Sequence, residues 1–383
     1  MLTATKKVLP KLEVSGRPLS TDQRVRSIDA LRGFDMFWIM GGHPIFLGLD
    51  NVFHNRFTAF IKQQFDHVEW LGFNFWDIIM PLFLFLAGVS MVFSLKKRLT
   101  GENARKKIWI HTIKRVVILW ILGWMVQGKL LTYDIDKLEL YSNTLQAIAS
   151  GYLVATLFTL YMPIRYQVLA TAGLMLAFWA ILALIPVGGT TANAYSQWGN
   201  VAYVFDRKAL GQFHDGQDYT WIISSLNFGA TTMLGVFCGY ILSSSKTAMI
   251  KFRDLALFGT FLIIGGLIWN EWHPIIKKIW TGSFVLYSGG ISVLMLAVFY
   301  LVIDIFKIRW GSGWLVVLGS NAILGYVAWH LFEPAFASVS SVFVDGLKPY
   351  IGDWYQTVLY IGAFMVIFLI LKFMYRKKIF LKI

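Results

Sequence analysis

Ionisable side chains recur within and beside two apolar stretches near the start of the chain, which read SIDALRGFDMFWIMGGHPIF and LGFNFWDIIMPLFLFLAGVSM. Each stretch is long enough to cross a bilayer as a helix. Lipid-spanning helices exclude charged side chains unless these face a packed interior or a watery cavity. The region therefore predicts a functional site, and its titratable residues include Asp29, Arg32, Asp35, His43, His67 and Asp77.

The first stretch places a cation and an imidazole on one helix face. Arg32 and His43 are eleven residues apart, which is about three turns and about 16 Å along the axis. Asp29 lies three residues before Arg32 and is predicted to pair with it. The glycines and the proline around His43 predict an irregular helix end there. The alternative is that Asp29 and Arg32 cap the helix while His43 is an interfacial residue.

The second stretch combines a carboxylate with a histidine that precedes it. An imidazole titrates near neutrality, so His67 is a candidate general acid or base. A carboxylate inside a membrane needs a partner, and His67 or a histidine on another helix is a candidate partner for Asp77. The alternative is a surface histidine and a carboxylate that bonds a salt-bridge partner or the backbone freed by Pro81.

A late apolar stretch, GSNAILGYVAWHLFEPAF, contains Asn321, His330 and Glu333. His330 and Glu333 are three residues apart and share a helix face, which fits a proton relay, a substrate clamp or a packing pair. Gln146, in an earlier apolar stretch, is typical of hydrogen bonds between membrane helices. His214, Asp215 and Asp218 form a polar cluster, but their spacing matches no metal signature, so we expect no metal.

The composition is that of a membrane protein. Of 383 residues, 57% are hydrophobic and 15% are charged, and the mean hydropathy is +0.59. The net charge of +14 does not indicate nucleic-acid binding, because the cations lie in short loops and tails between apolar runs. Cys238 is the only cysteine, which excludes an intrachain disulfide and a cysteine metal cage.

The chain is predicted to be an all-α, polytopic integral membrane protein with about ten transmembrane helices. Lys and Arg concentrate in alternate loops, which predicts that both termini are cytoplasmic and that the number of spans is even. Residues 1–26 are predicted to be a cytoplasmic tail without a secretory signal, and residues 27–383 a single transmembrane domain. The predicted spans are 27–49, 73–94, 109–128, 142–161, 167–187, 220–243, 254–271, 282–303, 314–336 and 354–374.

Several motifs, in their order along the chain, carry a resemblance to a known family. They are SIDALRG at 27–33, the His67, Trp70, Asp77, Met80-Pro81 and Gly88 pattern, Leu145-Gln146, Asp206-Arg207 with Leu210-Gly211, HPIIKKIWTGSFVL at 273–286, GSNAILGYVAWHLFE at 319–333, and the terminal YRKKIFLKI. With these motifs the chain resembles the heparan-α-glucosaminide N-acetyltransferase family of transmembrane acyltransferases, including its bacterial members.

The resemblance implies acetyl transfer across a membrane. The donor is acetyl-CoA bound from the cytosolic side through a channel in the bundle. The acceptor is the amine of a glucosamine-type sugar or oligosaccharide on the lumenal or periplasmic side. The family's catalytic histidine falls on His67. We expect a multi-pass protein of a bacterial inner membrane, with the bilayer and these substrates as partners and no nucleic acid.

Roles follow from the chemistry of amine attack on a thioester, which needs a proton acceptor and an oxyanion donor. His67 is the predicted base, with Asp77 orienting it. His43, Asn321 or His330 is the predicted oxyanion donor. Residues predicted to bind substrate are Arg32, Asp29, Gln146, Asn321, His330 and Glu333, and we infer CoA phosphates near Arg32 and the Lys96–Lys107 cluster. Direct transfer and a two-step route through an acetyl-histidine both remain open.

One departure from the family pattern keeps other functions open. The heparan enzyme has an asparagine where this chain has His43, and an Arg followed eleven residues later by a His resembles membrane enzymes that O-acylate bacterial surface sugars. The base is therefore His67, His43 or both. A secondary transporter of a sugar-like solute and a CoA-binding scaffold are the remaining alternatives, although no internal repeat supports a transporter. Monomer and homodimer also stay open.

Overall fold

The structure is a computed structural model that describes residues 25–53, 55–98, 103–189 and 194–381. These ranges form a helical bundle, which confirms the predicted all-α membrane fold. The helices are α1 (Arg26–Phe37), α2 (His43–Phe53), α3 (Arg56–Phe65), α4 (Ile79–Arg98), α5 (Ala104–Val126), α6 (Thr144–Tyr161), α7 (Ile164–Leu184), α8 (Val201–Leu210), α9 (Ser225–Ser243), α10 (Ala248–Asn270), α11 (Gly282–Phe299), α12 (Gly313–Ser320), α13 (Ala322–Val344), α14 (Lys348–Ile351) and α15 (Tyr355–Arg376). The predicted tail, residues 1–26, lies almost entirely outside the described ranges.

Eight helical stretches in the described part of the chain are long and apolar enough to cross a membrane. The last of them, Ala322–Arg376, contains both α13 and α15, which pack against each other. α1 and α2 are joined by a π-helical segment, Trp38–Gly42, into one helical unit that is not among the eight and that carries several charged residues. The count of ten spans and the cytoplasmic termini therefore stay predictions.

The centre of the bundle is formed by α4 and α9. In the most apolar windows of these two helices 78% and 72% of the residues are buried, whereas the windows of α5 and α10 are each 22% buried. The α4 and α9 backbones come into contact at Gly88, where an added Cβ would lie 1.9 Å from the carbonyl oxygen of Thr232. Small residues permit such close approach between membrane helices. Most residues of α5 and α10 are not buried in the bundle, so their apolar side chains are placed to contact lipid.

The α1 and α12 helices also cross at a glycine contact. A Cβ at Gly33 would lie 1.7 Å from the carbonyl oxygen of Leu315, so one backbone must shift to admit it. We expect Gly33→Ala to lower the free energy of unfolding by about 1–3 kcal/mol, the usual range for overpacking. Gly173→Ala is the matched control, since no atom lies within 4 Å of its added Cβ. Thermal denaturation in detergent compares the two, and equal melting temperatures would contradict the expectation.

Three segments that connect helices meet at one end of the bundle, here called the loop end. Trp70 Nε1 donates to the Tyr195 carbonyl at 2.9 Å, and Gly72 N donates to the Ile275 carbonyl at 3.0 Å. These contacts join the segment before α4 to the segments before α8 and after α10. The loop end therefore gathers residues that are far apart in the chain.

Candidate functional site

A short 3-10 turn, Phe75–Ile78, carries Asp77 at the loop end of α4. The Asp77 Oδ2 atom accepts hydrogen bonds from Asn74 N at 3.0 Å and from Val68 N at 3.4 Å. The Asn74 side chain donates in turn to the carbonyl of Asp66 at 3.0 Å. A carboxylate at a helix start also interacts favourably with the helix dipole. These backbone hydrogen bonds hold the Asp77 side chain in place without a charged partner.

His67 and Lys277 both contact the remaining oxygen of Asp77, and the three residues are here called the His67 cluster. His67 Nδ1 lies 2.8 Å from Asp77 Oδ1. Lys277 Nζ lies 3.2 Å from the same oxygen and 3.0 Å from His67 Nδ1. The side chain of Asp77 is 1% exposed and that of Lys277 8%, whereas that of His67 is 42% exposed. We assign the proton of the neutral ring to Nδ1, because an ionised carboxylate can only accept and Lys277 can donate to the same carboxylate oxygen; this tautomer keeps the Nε2 lone pair free.

Burial lowers the pKa of both basic side chains of the cluster, His67 and Lys277. Burial lowers the pKa of His67, Asp77 opposes that shift, and the charge of Lys277 adds to it. Burial likewise lowers the pKa of Lys277 to about 8, against the opposing effect of Asp77. A histidine with a lowered pKa is neutral at pH 7 and able to accept a proton. The site therefore presents a neutral imidazole beside a charged lysine.

His67 stands at the wall between two cavities. The bundle cavity, of about 560 Å³, extends from the loop end into the bundle; its lining residues are His67, Lys277, Ile39, Trp76, Ile79, Met80, Phe83, Gln127, Ser142, Asn143, Thr144, Asp215, Gln217, Tyr219, Trp221, Tyr326, Trp329, His330 and Glu333. The outer cavity, of about 660 Å³, is lined by His67, Asn74 and residues of α2, α3 and the loop that follows. One imidazole thus borders both spaces.

The polar part of the bundle cavity is held rigidly by the segment before α9. The rings of Tyr219 and Trp221 stack with centroids 5.9 Å apart. Trp221 Nε1 donates to Asp215 Oδ2 at 2.8 Å, and its backbone N donates to Asp206 Oδ2 at 2.5 Å. Burial raises the pKa of Asp206 to about 7. An aromatic pair with a neighbouring carboxylate can bind a polar ring by stacking and hydrogen bonding.

An apolar stripe leads from the cluster along α4. Met80, Phe83 and Ala87 keep 9%, 6% and 9% exposure, whereas Leu82 beside them is 0% exposed. The stripe continues to Ser90, and positions 80, 83, 87 and 90 repeat at helical spacing. From Asp77 to Ser90 the helix rises about 20 Å. Met80 and Phe83 line the bundle cavity, and Ala87 and Ser90 continue the same helix face toward the opposite end of the bundle.

Arg32 lies where this stripe ends. Its guanidinium donates to Ser90 Oγ at 2.5 Å, to the carbonyl of Gly319 at 3.4 Å, and to Asp29 Oδ1 at 3.3 Å. The predicted Asp29–Arg32 ion pair is confirmed. Lys96, from the predicted phosphate-binding cluster, instead donates to the carbonyl of Ser243 at 3.1 Å. The side chains of Lys97 and Arg98 lie outside the described part of the chain.

His43 is held apart from the cluster. Its Nε2 donates to the carbonyl of Phe65 at 3.0 Å, and its ring packs on Trp76 with centroids 4.3 Å apart. The ring centroids of Trp76 and His67 are 6.4 Å apart. Trp76 therefore contacts both histidines, and His43 is not among the residues that line either described cavity.

The other predicted binding residues divide into two groups. His330 and Glu333 line the bundle cavity, and His330 Nδ1 donates to the carbonyl of Tyr326 at 2.9 Å. Gln146 is fully buried and donates to the carbonyl of Leu140 at 2.9 Å, near the start of α6. Asn321 bonds the backbone of the terminal segment, through Leu381 N at 2.9 Å and the carbonyl of Ile379 at 3.0 Å.

The sequence did not single out Lys277, Tyr219 or Trp221. The motif HPIIKKIWTGSFVL contains Lys277, but a loop lysine gives no sign of burial by its type alone. Within the predicted polar cluster of His214, Asp215 and Asp218, the first two stay in contact, with His214 Nδ1 3.4 Å from Asp215 Oδ1. Asp215 bonds Trp221, while Asp218 pairs with Lys278 at 2.8 Å.

Comparison with known proteins adds one relationship. The chain is 25% identical over 431 aligned positions to the human heparan-alpha-glucosaminide N-acetyltransferase. It is a distant relative of that enzyme. The alignment covers 94% of this chain and 60% of the human protein, so the chain spans less than two thirds of its length. No family model matches the chain. The apolar helices indicate a multi-pass membrane protein.

Proposed function

We propose that the chain is a transmembrane acetyltransferase that moves an acetyl group from cytosolic acetyl-CoA to the amine of a glucosamine-type sugar. The loop end then faces the periplasm of a bacterial inner membrane. The observation that carries the proposal is the position of His67, a neutral imidazole oriented by Asp77 at the wall between two cavities. Such a group can serve a donor on one side and an acceptor on the other.

The donor would occupy the bundle cavity. The apolar stripe on α4 suits the extended pantetheine arm of CoA, which would bring the thioester from the cytosolic end toward His67. Arg32 bonds Ser90 at the far end of the stripe, where it is available to a CoA phosphate. The amide of Gln127 and the hydroxyl of Tyr219, which both line the cavity, are available as donors to the thioester oxygen.

The chemical step follows from the free Nε2 atom of His67. The acceptor nitrogen attacks the thioester carbon while Nε2 takes its proton, so a C–N bond forms and charge develops on the carbonyl oxygen. The C–S bond then breaks, and the imidazolium returns the proton to the departing sulfur. Asp77 stays ionised and holds the Nδ1 proton throughout. The products are the N-acetyl sugar and free CoA thiol.

The structure favours His67 over His43 as the base. In the tautomer that donates from Nε2 to the Phe65 carbonyl, the acceptor atom of His43 is Nδ1, and His43 lines neither described cavity, whereas His67 lines both. Sugar O-acylation by an Arg32–His43 pair has no comparable support, because Arg32 bonds Ser90 and His43 packs on Trp76.

The proposal is tested with detergent-purified protein, acetyl-CoA and a panel of amino sugars, glucosamine first. We expect thiol release and an N-acetyl product in equal amounts, identified by mass spectrometry, without any ion gradient. If no acceptor produces thiol release and acetyl-CoA does not bind, the acetyltransferase is rejected and the transporter is favoured. Thiol release with an O-acetyl product would reject only the amine acceptor.

Blocking the stripe gives a second expected result. Ala87→Trp should lower acetyl-CoA turnover by about 100-fold or more, because an indole fills the path between Phe83 and Ser90. Ala177→Trp on the exposed face of α7 is the matched control and should keep the wild-type rate. Thiol release from acetyl-CoA measures both. Full turnover by Ala87→Trp would remove the stripe from the donor path.

A further inference from the structure

Lys277 has no role in the proposed transfer step, yet its position is unusual for a cation. Its side chain is 8% exposed, and its ammonium contacts both Asp77 and the ring nitrogen of His67. The lysine comes from the segment between α10 and α11, whose backbone is tied to the loop before α4 by the bond from Gly72 N to the Ile275 carbonyl. This backbone hydrogen bond supports the contact between Lys277 and the other two residues.

The three distances limit how many protons the His67 cluster can hold. Asp77 Oδ1 accepts from His67 Nδ1 at 2.8 Å, and from Lys277 at 3.2 Å. With Lys277 charged, His67 neutral and Asp77 ionised, the cluster is neutral overall. A second proton on His67 would place two cations 3.0 Å apart beside one buried carboxylate. Like charges at that separation strongly disfavour the doubly charged state.

We propose that Lys277 is a positioning residue that keeps His67 in its neutral, proton-accepting form, because the site beside Asp77 holds only one cation at a time. At neutral pH that cation is Lys277. Without the lysine, His67 takes up a proton and pairs with Asp77 as an imidazolium. In that form it is no longer a base. The kinetic consequence rests on the proposed acetyl transfer, but the protonation state does not.

Other charged or titratable groups also face His67 from the packed elements. They are Asp77 at the start of α4, Lys277 and Lys278 after α10, Asp66 and Glu69 in its own loop, Asp215, Tyr219, Tyr326, His330 and Glu333 across the bundle cavity, and Asp50 and Lys62 across the outer cavity. Lys278 is paired with Asp218 at 2.8 Å, and its charge lowers the pKa of His67 less than the charge of Lys277 does. Lys277 is thus the cation whose removal should matter most.

The direct test uses diethyl pyrocarbonate, which reacts with neutral imidazole and not with imidazolium. Labelling of His67, measured by peptide mass spectrometry across pH, gives the midpoint of its titration without any substrate. We expect a wild-type midpoint below about 6.5, the ordinary histidine value. Lys277→Met should raise the midpoint by at least about one pH unit. Lys277→Arg keeps the cation and should stay near wild type.

Lys278→Met is the matched control and should move the midpoint by less than half as much as Lys277→Met. A wild-type midpoint at or above about 6.5 would overturn the proposal even if Lys277→Met does not fold. An unchanged midpoint in folded Lys277→Met would overturn it as well, as would an equal shift in Lys278→Met. Because labelling needs no acetyl donor, failure of the proposed function leaves the test intact.

Kinetics supply a second readout. In Lys277→Met the acidic limb of the kcat/KM profile should move to higher pH, with about tenfold or greater loss at pH 7 and recovery near pH 9. A lysine that only supported the fold would produce a loss that alkaline pH does not restore. Recovery at high pH supports the proposal, and a pH-independent loss contradicts it.

Discussion

His67→Ala is expected to lower the rate of acetyl transfer by about 10²–10⁴-fold, the usual contribution of a positioned general base. The loss should appear in kcat, because the imidazole acts on the attacking amine rather than on the CoA moiety. Binding of acetyl-CoA should be unchanged, since His67 is one of many residues that line the bundle cavity. Thiol release and equilibrium binding of acetyl-CoA measure the two quantities separately.

The matched control is His43→Ala, which removes the other histidine that packs on Trp76. It should lose the hydrogen bond to Phe65 and some stability while keeping most of the turnover. The reverse pattern, with turnover lost in His43→Ala and kept in His67→Ala, would contradict the assignment and favour the O-acylating alternative. Loss of acetyl-CoA binding in His67→Ala would show that the variant is disordered.

The contact between His67 and Asp77 could be anticipated from the sequence. The two residues are ten positions apart, with Asp77 at the start of a helix and His67 in the loop before it. An apolar helix that begins with a carboxylate requires a partner from the adjacent loop, and few residue types there qualify. The helical fold was predictable for a similar reason, since long apolar runs permit few alternatives to a membrane helix. Local constraints were sufficient in both cases.

Lys277 could not be anticipated, because it reaches Asp77 across 200 positions of chain. Its contact depends on how the segment after α10 docks against the loop before α4, for example through Gly72. Asn321 shows a second contact that the sequence does not give. Its amide bonds the backbone of Ile379 and Leu381, while substrate binding by Asn321 stays a prediction. A buried amide satisfies the nearest unpaired backbone group, and that group is set by tertiary structure.

Asp77→Asn should lower the transfer rate by about 10³-fold or more, even though an amide can replace the carboxylate in shape. The asparagine offers its NH₂ group or a neutral oxygen to His67, so the ring loses the charge that fixes its proton on Nδ1. The same change leaves the Lys277 ammonium without its counter-ion at 8% exposure. Breaking a buried ion pair from one side costs about 3–5 kcal/mol.

A double variant separates these two effects. Asp77→Asn with Lys277→Met removes the uncompensated cation, so thermal stability in detergent should return toward wild type. The transfer rate should stay low at every pH, because His67 has lost both its orienting group and its charged neighbour. Lys277→Met alone, by contrast, should recover at alkaline pH, because Asp77 still orients the ring. Recovery of turnover in the double variant would show that Asp77 serves only to neutralise Lys277, and would leave the orientation of His67 to the loop between α3 and α4.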